Sequence, residues 1–183
     1  MERSDRIEWF RAAYLDASAA VKLVVDEPGS REVEGYMEEN PPLYISTVCV
    51  AETLGVLKRK WLRGELGEES YFRASFVFLA HLAKGGKIIV ENDDLADPHV
   101  FFECEDLAKK HGLDLSDALQ LYALKAGCLS DGVDESQALL ITVDMKLAAA
   151  ARAEGLLVWN CEKEARPVLS ESSATACLEP RVD

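Results

Sequence analysis

Short, unbroken apolar runs alternate along this chain with stretches whose apolar positions recur every three or four residues. The unbroken runs predict buried strands at 11–16, Leu43–Thr47, Lys87–Val90, Ala138–Val143 and Leu156–Trp159. The recurring pattern predicts helices over Ser18–Val25, Arg31–Glu39, Val48–Leu62, Glu69–Leu82, Pro98–His111, Leu115–Ala126 and Met145–Glu154. Glycine and proline punctuate them: Glu27-Pro28-Gly29-Ser30, Asn40-Pro41-Pro42, Gly64 with Gly67, Gly85-Gly86, Gly112, Gly127 and Gly155. Ser30 is the expected N-cap of its helix. Strands that are apolar on both sides have no water-facing surface. The alternation therefore predicts helices on both faces of a mainly parallel five-stranded sheet, a three-layer α/β/α architecture.

The 183 residues suffice for one domain with a normal core, and neither an internal repeat nor a second domain is visible. Residues 13–165 carry the pattern. Residues 1–12 read as an N-terminal extension and 166–183, Ser-rich and without periodicity, as a flexible tail. No apolar run approaches the roughly 20 residues that span a bilayer, and Met1–Arg6 is charged and leads into no signal-peptide core. A cytoplasmic location is expected. The five cysteines, Cys49, Cys104, Cys128, Cys161 and Cys177, have neither a C-x-x-C pair nor zinc spacing with His81, His99 or His111. They read as small buried residues or free thiols.

Four acids change the picture. Asp16, Glu52, Asp117 and Asp144 each lie just past an apolar run or one turn into the helix that follows. In a parallel sheet all strand C-termini open on one edge, where ligands bind. Singly, Asp16 and Asp144 could be N-caps, and Asp114-Leu115-Ser116-Asp117 resembles a capping box. Glu52 resists that account, because it sits among Val48, Val50, Ala51, Leu54, Val56 and Leu57, where an unpaired charge is costly. Carboxylates gathered on one edge repel one another unless a hard divalent cation sits among them, and oxygen-only ligands favour Mg²⁺ or Mn²⁺. Such an ion, keeping its waters, suits phosphate chemistry.

The net charge of −13 excludes a broad basic nucleic-acid surface, so any such contact must be local. Lys58-Arg59-Lys60-Trp61-Leu62-Arg63 is the one dense basic cluster. Arg59 and Lys60 are candidate RNA contacts there. Trp61 could stack on a base but reads better as packed beneath a solvated face. Lys22 and Lys146, each near a proposed ligand, could meet a phosphate or balance the acids. The histidines show no ligand spacing, and no Ser-His-Asp order, P-loop or dinucleotide fingerprint occurs. A response-regulator receiver, which wants adjacent acids after its first strand and a Lys after its last, does not match.

Taken in order, Tyr14-Leu15-Asp16-Ala17-Ser18-Ala19-Ala20-Val21-Lys22, Ser46-Thr47-Val48-Cys49-Val50-Ala51-Glu52, His111-Gly112-Leu113-Asp114-Leu115-Ser116-Asp117-Ala118-Leu119 and Leu139-Leu140-Ile141-Thr142-Val143-Asp144 resemble the four acidic segments of the PIN-domain ribonucleases, which include VapC-type toxins. The resemblance covers about residues 13–160. It implies an Mg²⁺ or Mn²⁺ site of Asp16, Glu52, Asp117 and Asp144, with Ser18 and Thr142 as hydroxyl helpers. It also implies endoribonuclease products with a 3′-hydroxyl and a 5′-phosphate, and an antitoxin protein as a partner. Met1–Phe10 and the acidic loop Ser130–Gln137 are longer than a typical toxin has. A PIN-fold binding or scaffold protein with weak or no activity is the alternative, motivated by the acidic net charge.

The helices Val48–Leu62 and Glu69–Leu82 carry Trp61, Leu62, Tyr71, Phe72, Phe76 and Phe78. Phe72 and Phe76 point away from the face that carries Phe78, and a helix apolar on two faces must bury both. A homodimer interface is expected there, with an antitoxin groove as the other occupant and a monomer with mutually covered helices as the plain alternative.

Overall fold

A computed structural model describes residues 10–40, 42–92, 95–126 and 137–167. Its strands are β1 (Phe10–Leu15), β2 (Leu43–Ser46), β3 (Ile88–Glu91), β4 (Gln137–Thr142) and β5 (Leu157–Asn160). Its helices are α1 (Ala17–Val21), α2 (Ser30–Glu39), α3 (Thr47–Leu62), α4 (Glu68–Leu82), α5 (Pro98–His111), α6 (Leu115–Ala126) and α7 (Met145–Ala153). The strands form one sheet in the order β3-β2-β1-β4-β5, and every pair is parallel. Residues 1–9, the loop before β4 and the expected tail from residue 168 on lie outside the described residues, as do Cys128 and Cys177.

The three layers follow from strand alternation. Ala13, Leu15, Leu43, Ile45, Leu139 and Ile141 point to one face, where α1, α2 and α4 cover them through Ala20, Tyr36 and Phe78. Tyr14, Ala138 and Leu140 point to the other, under Cys104 of α5, Leu121 of α6 and Leu147 of α7. The chain winds outward from β1 through β2 to β3 on the first face. It then returns across the second face to β4, on the opposite side of β1. The winding direction thus reverses between β1 and β4, the topological switch point of an open α/β sheet.

The expected elements form, with four strands displaced by one residue and β2 ending one residue early. Two local expectations fail. The first helix ends at Val21 instead of Val25, and Ser30 is not an N-cap. Instead, Ser30 Oγ donates to the Val25 carbonyl at 2.8 Å and accepts from Glu27 N–H at 3.0 Å. That hydroxyl closes the turn that stops α1, so it is unavailable to α2. Gly29 takes the cap position at φ +86°, and a Cβ there would lie 2.8 Å from the Cys161 carbonyl oxygen. Glycine is required by both the dihedral and the contact.

The α3–α4 hairpin buries Leu57, Ala74 and Phe78 but leaves Phe76 73%, Leu62 71% and Phe72 57% exposed. The two helices therefore do not cover each other fully. Cys49, Cys104 and Cys161 are buried. Among the described residues no helix is long and apolar enough to cross a membrane.

Candidate active site

The β1–β4 switch point is laced by side chains. Asp16, the residue after β1, N-caps α1, and its Oδ2 accepts from Ser18 N–H at 3.3 Å, from Ser18 Oγ and from Thr142 Oγ1 at 2.7 Å. Ser18 Oγ in turn accepts from Val143 N–H at 3.0 Å, and Thr142 Oγ1 from Asp144 N–H at 2.9 Å. The two hydroxyls thus tie the end of β1 to the end of β4. Asp144 N-caps α7, its Oδ1 accepting from Lys146 N–H at 2.7 Å and Leu147 N–H at 2.9 Å. The capping reading of Asp16 and Asp144 is correct, and both caps nevertheless line one cleft.

The other two acids enter from helices on opposite faces. Glu52 projects from α3, where Oε1 accepts from Ser116 Oγ and Oε2 from Gln120 Nε2 at 3.0 Å. Asp117 sits in the first turn of α6, and its N–H donates to Asp114 Oδ1 at 3.0 Å. Asp114, not Asp117, is the capping carboxylate. Burial, then the charges of Asp114, Asp144, Asp16 and Glu52, push the Asp117 carboxyl up to about 7. Burial raises Glu52 as well, with Asp16 and Asp114 adding to it while Ser116 and Arg59 oppose it.

Asp16, Glu52, Asp117 and Asp144 share an open cleft of about 320 Å³ with Ser18 and a basic rim of Lys22, Arg59 and Lys60. The rim is partly committed. Lys22 is only 2% exposed, 2.6 Å from Glu162 and 3.5 Å from Glu27, so it balances acids and is not a surface phosphate contact. Lys60 pairs with Glu27 at 2.5 Å and Glu65 at 3.3 Å. Arg59 reaches back over Gly55, where a Cβ would stand 3.4 Å from its Nη1. Lys146 is exposed but lies off the cleft lining. Trp61 stacks on Tyr71 with centroids 4.8 Å apart, and Lys58 Nζ sits 3.9 Å over its ring, so packing rather than base stacking occupies its face.

The donor set suits a hard divalent cation: four carboxylates, flanked by hydroxyls, whose mutual repulsion a cation would relieve. Among the described residues, however, no three acidic, His or Cys side chains stand close enough together for one ion to bind them all. Sequence reasoning placed Asp114 in a capping box but missed the contacts of Ser116, Gln120, Glu27 and Glu162. The only signal was indirect: a glutamate in an apolar helix needs donors, and their identity depends on which helix packs across from it.

Known proteins agree with this architecture. No curated protein matches the sequence. PAE2754 from Pyrobaculum aerophilum superposes with a TM-score of 0.55 at 19% identity, over 86% of this chain and 92% of that one. VapC20 of Mycobacterium tuberculosis, a Sarcin-Ricin loop cleaving toxin, gives 0.56 at 14% identity, over 85% and 100%. A chain of FitAB, in a structure bound to the IR36 DNA fragment, gives 0.56 at 16% identity, over 84% and 97%. At such identities these likenesses concern the fold. The sequence model of the PIN domain matches residues 13–163, from within β1 to just past β5, and the chain belongs to the PIN domain family.

Proposed function

We propose that this chain is a cytoplasmic, metal-dependent endoribonuclease whose Asp16, Glu52, Asp117 and Asp144 hold Mg²⁺ or Mn²⁺. PIN domains are generally nucleases. The observation that carries the reading is the convergence of these four acids, from β1, α3, α6 and the β4–α7 junction, on one cleft at the switch point. Bound there, the cation supplies a water of lowered pKa and stabilises charge on the scissile phosphate. The protein's own part is orientation. Ser18 and Thr142 hold Asp16 at the sheet edge, the α7 N-terminus fixes Asp144, and Arg59 at the rim faces an incoming phosphate. Asp117 must surrender its proton to act as a ligand, so metal binding tightens as pH rises toward 7.

RNA is the proposed substrate, in line with VapC20, a Sarcin-Ricin loop cleaving toxin of similar fold. The exposed face of α3–α4 is the proposed homodimer surface, and an antitoxin is its alternative occupant. The decisive experiment compares wild type with Asp16→Asn on RNA in Mg²⁺ or Mn²⁺ and in EDTA. Cleavage is expected only for wild type with metal, while circular dichroism shows Asp16→Asn folded. Cleavage by folded Asp16→Asn at the wild-type rate would remove the reading.

A scaffold role without catalysis is the second reading. It is favoured by the separation of the carboxylates and by the net charge of −13, which repels RNA. A thermal shift with Mn²⁺ but no cleavage of any RNA tested would select it.

A further inference from the structure

Among the four candidate ligands Asp16, Glu52, Asp117 and Asp144, Glu52 has its two oxygens held by two different side chains, and both donors come from a single helix in the opposite layer. Ser116 and Gln120 lie one turn apart on α6, hence on the same face, and straddle Asp117. Gln120 is only 5% exposed, with its amide directed at Glu52 Oε2. A buried primary amide costs free energy unless it is paired, so its placement on this carboxylate is specific.

We propose that Ser116 and Gln120 are positioning residues that fix the Glu52 carboxylate for cation binding. The proposal rests on the metal-site reading and goes beyond it, since neither residue belongs to the acidic set. A glutamate reaches the cleft through three rotatable bonds, and a carboxylate with one anchor can still swing. With one donor on each oxygen, its plane and distance are set. A carboxylate offers about four lone-pair sites, so two anchors leave two for a cation. Because the anchors flank Asp117, the clamp also sets the spacing between Glu52 on α3 and Asp117 on α6, which belong to different layers and share no backbone connection near the cleft. Neutral donors suit this role. They orient the carboxylate without competing with the cation for charge, as an arginine or lysine there would.

Outer contacts of this kind change metal affinity by about 10- to 100-fold when removed. The test is Mn²⁺ binding by calorimetry, with thermal unfolding in EDTA, on full-length wild type, Ser116→Ala, Gln120→Met and Ser116→Thr. Ser116→Ala and Gln120→Met are each expected to weaken Mn²⁺ binding by at least about tenfold. Ser116→Thr, which keeps the hydroxyl, is expected to bind like wild type. Unchanged Mn²⁺ affinity in Ser116→Ala and Gln120→Met, even with a lowered melting temperature, would overturn the clamp and leave a purely structural tie between α3 and α6. Wild type that binds no Mn²⁺ would instead remove the metal-site reading, and the clamp with it. The two failures are therefore distinguishable.

Discussion

Asp117→Asn is expected to make the metal-free protein more stable, and the gain is expected to appear only as pH rises. An ordinary aspartate ionises at 3.8, whereas burial and four carboxylate neighbours push Asp117 to about 7. A proton affinity raised about a thousandfold corresponds to about 4 kcal/mol against the charged form. Asp117 is only half-buried, and solvent screening reduces this to about 2 kcal/mol. The sign follows from linkage. Below about pH 4 both the folded and the unfolded chain hold the proton, and the penalty is absent. Between about pH 4 and about pH 7 the unfolded chain ionises first, so folding loses stability, and above about pH 7 the loss is complete. Asparagine keeps the size and the neutral state, so it never incurs this loss. Urea unfolding in EDTA, followed through buried Trp159, is the assay, run from about pH 4 to about pH 8.5. The gap between variant and wild type should open over that range to about 2 kcal/mol. Saturating Mn²⁺ should reverse the order, since a ligand at a hundredfold over its Kd adds about 2.7 kcal/mol to wild type alone. A gap that is absent at high pH, or equal at both ends of the range, would refute the account of Asp117.

Two further outcomes are expected. Phe76→Glu, on the exposed flank of α4, should convert a sedimenting dimer to monomer at unchanged melting temperature, and a wild type that is already monomeric at tens of micromolar would sink the dimer; Phe78, fully buried, cannot serve in that test because its replacement would strike the core. Glu154 lies 2.7 Å from Lys110, 2.5 Å from Lys125 and 2.5 Å from His111, and those bonds hold its pKa near 2. Glu154→Gln should cost about 1–2 kcal/mol near neutrality, modest because the lysines are partly exposed. Its depressed pKa means the wild-type advantage is present above about pH 4.5 and fades as pH falls toward 2, and a gap that does not narrow would contradict this origin.

Much of this protein was legible in the order of its residues. Short unbroken apolar runs bounded by glycine and proline suit strands covered by helices, so β1 to β5 and the three-layer class were legible from the pattern together with its punctuation. The four acids were legible because each falls at the end of a strand or in the helix after it, and parallel strands all end on the same edge. Periodicity reports which side of an element faces the core, but not which element lies opposite. The order β3-β2-β1-β4-β5, which makes the end of β1 and the end of β4 neighbours, was therefore settled in three dimensions. So was the fate of Lys22, which looked like a phosphate contact and is held by Glu162, 140 residues away. Ser30 was a plausible cap by its local rule, and its hydroxyl is instead engaged by the Val25 carbonyl and the Glu27 N–H of the preceding turn. The clamp on Glu52 joins helices whose contacting residues lie 64 and 68 positions apart. Contacts at such separations depend on how finished layers stack, and no local pattern of polar and apolar residues encodes them.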